Sequence, residues 1–89
     1  MATHIKTTGE VEDVNPQDSK AFSLQELQDF VGGYIELVQL PTKETMVVNE
    51  EGRLRELPYN SVASSKAQRL IVGDVIVMSQ VELQATNEA

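Results

Sequence analysis

The residues with chemistry to offer lie mostly between Asn49 and Asp74. Glu50 and Glu51 are adjacent carboxylates, with Glu56 close behind and Asp74 further on. Carboxylates so grouped can do acid–base work or assist a reaction through a divalent ion. The spacing lacks the alternating ligands and closing bidentate Glu of a calcium loop, so a solvated turn accounts for the cluster better. Ser61, Ser64 and Ser65 would need a base to become nucleophiles. His4 is the only histidine and sits near the N-terminus, away from them in sequence. With no cysteine and a single histidine, a zinc site has too few ligands, and a disulfide framework is excluded. Gly32-Gly33 lacks dinucleotide or Walker spacing and follows a helical pattern instead of opening one, which suits a helix cap and not a phosphate cradle. No catalytic constellation, resident metal or cofactor is expected.

Binding residues are better represented. Asn49, Asn60 and Asp74 all fall at strand ends, where functional loops cluster, although turns select the same residue types for their own backbone bonds. Arg53 and Arg55 read as one face of a strand, with Lys66 and Arg69 nearby, and could meet an anionic ligand or acidic partner. Cross-strand pairing with acids such as Glu36 and Glu44 is the structural account of the same arginines. Asn49, Arg53, Arg55, Asn60 and Asp74 therefore form a candidate ligand or partner patch. Glu26, Asp29 and Glu36 form a candidate acidic face.

Charge separates these two surfaces. The net charge is −7, and ten of the 14 acids precede Gly52, where only Lys6, Lys20 and Lys43 oppose them. An acidic chain lacks the cationic face that phosphate binding needs, so direct nucleic-acid binding is not expected. An acidic surface could still compete with nucleic acid for a basic protein, provided that Glu10, Glu12, Asp13, Asp18, Glu26, Asp29 and Glu36 are continuous. The simpler account is solubility. No apolar run is long enough to cross a membrane, and residues 1–20 lack a signal-peptide core, so a cytoplasmic protein is expected.

Eighty-nine residues allow one small domain, and the scarcity of aromatics (Phe22, Phe30, Tyr34 and Tyr59) leaves its core to Leu, Ile and Val. Ser23 and Glu26 spell a capping box, and Phe22 with Leu27 a hydrophobic staple. Leu24, Leu27, Phe30 and Val31 share one helical face, and Gly32 ends the helix. Tyr34 to Leu40 predicts a strand with apolar residues on both faces, hence a central one. Thr45 to Val48 is β-branched and predicts a second. Asn49-Glu50-Glu51-Gly52 reads as a hairpin connection with Gly52 at positive φ, returning along Arg53–Leu57 as a third strand before Pro58. Residues 59–69 suit a short helix or an irregular loop, with Asn60 or Ser61 as cap. Leu70 to Met78 is the last strong strand, interrupted at Gly73-Asp74 by a bulge or turn, and its exposed edge could support a homodimer. Ile5 to Thr8 alternates as an edge strand that Gly9 would turn.

The expectation is an α+β domain: a small, mostly antiparallel sheet of four to five strands, packed by one well-capped helix and a short second helix. Residues 1–21 form a loosely ordered N-terminal segment, 22–83 the domain, and 84–89 a frayed tail.

Val31-Gly32-Gly33-Tyr34-Ile35-Glu36, Val48-Asn49-Glu50-Glu51-Gly52, Leu57-Pro58 with Asn60, and Val72-Gly73-Asp74-Val75-Ile76-Val77 together resemble a small uncharacterised family, domain of unknown function 3846. The resemblance spans about Leu24 to Met78. It departs in the N-terminal strand, which carries little of the family's apolar pattern, and in the longer, Ser-rich stretch Tyr59–Gln68. It implies a setting in phages, plasmids and conjugative elements, and no activity. The function expected is a non-catalytic accessory module that binds a host or element-encoded protein or a small ligand.

Overall fold

Ser23 and Glu26 start the first helix by satisfying each other's backbone. The Glu26 amide donates to Ser23 Oγ at 3.1 Å, and the Ser23 amide donates to Glu26 Oε1 at 2.9 Å. The helix, α1 (Leu24–Val31), ends at Gly32, whose φ of 82° only glycine adopts without strain. Leu27 and Val31 are buried, each such side chain contributing roughly 1.5–3 kcal/mol of apolar transfer. Leu24, expected on the same face, is half exposed. Phe22 is buried edge-on to Phe30, with ring centroids 6.1 Å apart.

The structure is a computed structural model and describes residues 2–15 and 22–78. Five strands, β1 (Ala2–Ile5), β2 (Val11–Val14), β3 (Ile35–Gln39), β4 (Thr45–Asn49) and β5 (Val75–Met78), form one antiparallel sheet in the order β2-β1-β5-β4-β3. The expected small α+β fold is therefore present, with the expected second helix at α2 (Ser61–Ala67). The two helices cover opposite faces. Leu27, Val31 and Phe22 of the α1 layer meet Val47, Ile76 and Met78, whereas Ala63 of α2 and Ile71 meet Met46, Val48, Val75 and Val77. A sheet covered on both sides explains why β4 and β5 are buried along their whole length.

Several expectations need correction. Residues 53–57 are not a strand. Arg55 N–H donates to Glu51 O at 3.0 Å, Glu56 N–H to Arg53 O at 3.1 Å and Leu57 N–H to Gly52 O at 3.0 Å, so local turns satisfy this backbone and leave Leu54 84% exposed. Gly52 does not take positive φ. It is required for close approach, because a Cβ there would stand 2.8 Å from Val72 Cγ2. The strand after α1 is an edge, not central, and the strand Val75–Met78 is central, not an edge, which removes it as a dimer contact. The N-terminal strand covers Ala2–Ile5 rather than Ile5–Thr8 and lies inside the sheet, with β2 outside it. Gly9 turns this hairpin, with φ 96°. The expected frayed tail at 84–89 lies outside the described residues.

Thr45 Oγ1 is fully buried and has no hydrogen-bond partner among the described residues. Thr45→Val removes that hydroxyl at nearly constant shape, and is expected to stabilise the fold by about 1 kcal/mol. A thermal melt checks this; a lower Tm would contradict it.

Candidate functional site

Asn49, Asn60 and Asp74 all stand at the end of the sheet where β4 stops and β5 begins, but Asn49 reaches α1 on one face and Asn60 caps α2 on the other, and their polar atoms are consumed by the fold. Asn60 is completely buried. Its Oδ1 accepts from the Ala63 amide at 3.0 Å and caps α2, and its Nδ2 donates to Gly73 O at 2.9 Å and to Ile5 O at 3.1 Å. Asn49 Nδ2 donates to Val31 O at 3.0 Å, the end of α1, and its Oδ1 accepts from the Glu51 amide at 2.8 Å. Asp74 accepts from the Thr7 amide at 3.1 Å and lies 3.1 Å from His4 Nε2.

His4, expected at a flexible end, is thus on an interior strand, 8% exposed, with its ring 5.0 Å from that of Phe30. Only the tertiary pairing of β1 with β5 reveals it, since no local signal links positions 4 and 74.

The two arginines part company. Arg55 lies 3.4 Å from both Gly32 O and Glu51 Oε1, reinforcing the end of α1. Both members of that ion pair are half exposed, so the pair contributes only about 0.3–0.5 kcal/mol. No group of three potential metal ligands occurs among the described residues. The acidic face divides as well. Glu26 and Asp29 lie on α1, beside Asn15 and Phe30. Glu36 projects from the opposite face of the sheet, opposite Val48.

Arg53 reaches a different surface. On the α2 face, a groove of about 220 Å³ opens between the β3–β4 hairpin and residues 69–72. Val38, Val48 and Ile71 are buried in its floor, while Leu54 and Leu70 stay exposed at its rim. Arg53, Arg69, Glu36 and Glu50 add charge around them. Neither guanidinium has an ion-pair or hydrogen-bond partner among the described residues. The groove therefore joins apolar contact area to two cations unpaired among the described residues, a combination suited to recognition. Arg53 was within reach of the sequence, and Arg69 as a neighbouring charge. Leu54 and Leu70 were not, because both had been assigned to strands.

The Asn60 clamp has a measurable weight. Asn60→Ala removes a helix cap and orphans two buried carbonyls, and is expected to destabilise the protein by about 2–4 kcal/mol in urea unfolding. Asn60→Asp retains the capping oxygen but sets a buried carboxylate against the Ile5 and Gly73 carbonyls, and should lose at least as much at neutral pH.

No curated protein and no solved structure matches the chain. No helix among the described residues is long and apolar enough to cross a membrane. The model of one family, described as a domain of unknown function (DUF3846), matches residues 3–87, nearly the full length, and the chain belongs to that family.

Proposed function

We propose that this protein is a non-catalytic accessory module of a mobile genetic element, acting in the cytoplasm, and that it binds a host or element-encoded protein through the groove on its α2 face. The single observation that carries this reading is that Arg53 and Arg69, unpartnered among the described residues, stand with exposed Leu54 and Leu70 over a buried apolar floor. Interfaces favour such arginines, which give directional bonds to carboxylates, next to apolar residues that exclude water. The matching partner surface presents an apolar side chain flanked by acidic groups. Glu36 and Glu50 at the same groove would select against a uniformly acidic partner and fix its register.

The polar residues at the end of the sheet support the same conclusion from the other side. Asn49, Asn60 and Asp74 are engaged in holding the layers together, so their types call for no ligand.

Affinity capture with the tagged protein from a host lysate tests the assignment, with mass spectrometry of the protein and small-molecule fractions. The double variant R53E/R69E should retain the wild-type melting temperature and lose a stoichiometric protein partner at least tenfold. Asp29→Lys, on the opposite face, should keep it. A partner lost with Asp29→Lys but retained by R53E/R69E would instead favour an acidic decoy surface on α1. Capture of a small molecule alone would replace the protein partner with a ligand.

A further inference from the structure

A sheet of five strands has two edges, and here they differ in kind. β2 carries adjacent Glu12 and Asp13, both exposed, and such charges discourage a further strand from pairing. β3 has no proline, lysine or bulge, and Glu36 is its only charge. Leu37 is 41% exposed and Tyr34, just before the strand, 64%.

The hydrogen bonds of the β3–β4 hairpin set the phase of the free edge. Glu50 N–H donates to Tyr34 O at 2.8 Å and Leu40 N–H to Glu44 O at 2.9 Å, so the even-numbered residues of this segment bond to β4. The N–H and C=O groups of Ile35, Leu37 and Gln39 consequently point outward, and no strand among the described residues pairs with them.

We propose that β3 pairs antiparallel with β3 of a second copy of this chain, about a two-fold axis at Leu37. That register sets Leu37 against its own counterpart, Ile35 against Gln39 and Glu36 against Val38. The exposed leucine is buried and no like charges stand directly opposite, the two Glu36 side chains being only diagonal neighbours. An axis at Glu36 would oppose two carboxylates, and an axis at Val38 would draw Pro41, which has no N–H, into the ladder. Self-complementarity of this kind favours a second copy over a foreign strand, and the contact is isologous and closed. The two outer edges of the paired sheet would then both be the charged β2, which stops growth at two copies. The β3 edge adjoins the α2-face groove, with Glu36 and Val38 common to both, but Leu37 and the Arg53–Arg69 pair are tested by separate variants, so either proposal can fail alone.

Sedimentation equilibrium of the full chain over the micromolar range is the test. The expected mass is twice 9.8 kDa, with Leu37→Lys dissociating at least tenfold more readily and Asp13→Lys unchanged. Circular dichroism of Leu37→Lys shows whether it folds. A second measurement covers the case in which it does not: the chain has no cysteine, so Leu37→Cys can be treated with a short bifunctional thiol-alkylating reagent, whose two leaving groups are displaced by the paired thiolates. Opposed Cα atoms about 5.5 Å apart should cross-link, whereas Val11→Cys on β2 should not. A wild-type monomer throughout, a dimer that survives in folded Leu37→Lys, or equal cross-linking at both positions overturns the proposal. A monomer whose β3 edge takes up a foreign strand would overturn it too.

Discussion

The side-chain amide of Asn60 is the point on which the layers depend. Three segments distant in sequence meet at this one group, the start of α2, the end of β1 at Ile5 and the approach to β5 at Gly73. A planar amide can accept along one direction and donate along two others, and no other uncharged side chain except Gln offers that geometry. Ser64 repeats the idea a turn later, its hydroxyl both accepting from the Ile71 amide at 2.9 Å and donating to Ile71 O at 3.2 Å. The short helix is thus held to the sheet by polar bonds as much as by Ala63. With so little apolar surface on α2, these bonds decide where it sits.

Asn49 performs the corresponding task for the other layer by holding the last turn of α1 at Val31. Both helices are therefore fixed at the same end of the sheet, one on each face. The consequence for function is a division of labour. Buried Asn49 and Asn60 at that end are engaged by the fold, while Arg53 and Arg69, without an ion-pair or hydrogen-bond partner among the described residues, lie over the β3–β4 half of the α2 face.

Much of this was legible locally. The capping box at Ser23, the glycine stop at Gly32 and the β-branched run at Thr45–Val48 each rest on interactions within a few residues, and sequence spacing records such interactions directly. The alternation in Arg53–Leu57 misled because a charged turn and a half-exposed strand share that pattern; only Gly52, pressed against Val72, distinguishes them. Strand order was illegible for another reason. The apolar character of β3 on both faces reflects contact with both layers, Val38 with the α2 layer and Ile35 with the α1 layer, and does not mark a central strand; which neighbour each strand takes depends on pairings as distant as Thr3 with Val77. The roles of Asn49, Asn60 and Asp74 fell between these cases. Their positions at strand ends were readable, but their partners, and hence their structural purpose, were not.

The placement of β5 has a consequence for how the molecule is made. Each hairpin, β1–β2 and β3–β4, closes through contacts near in sequence and can form early as the chain emerges during synthesis. Neither can join the other until Val75–Met78 arrives and inserts between them. Until then the inner edges of both hairpins, with the apolar faces of β4 and the unpaired side of β1, stand open to water and to any passing strand. Assembly therefore resembles a clasp whose central tongue is delivered last. A nascent chain paused before residue 75 would be the form most in need of a chaperone.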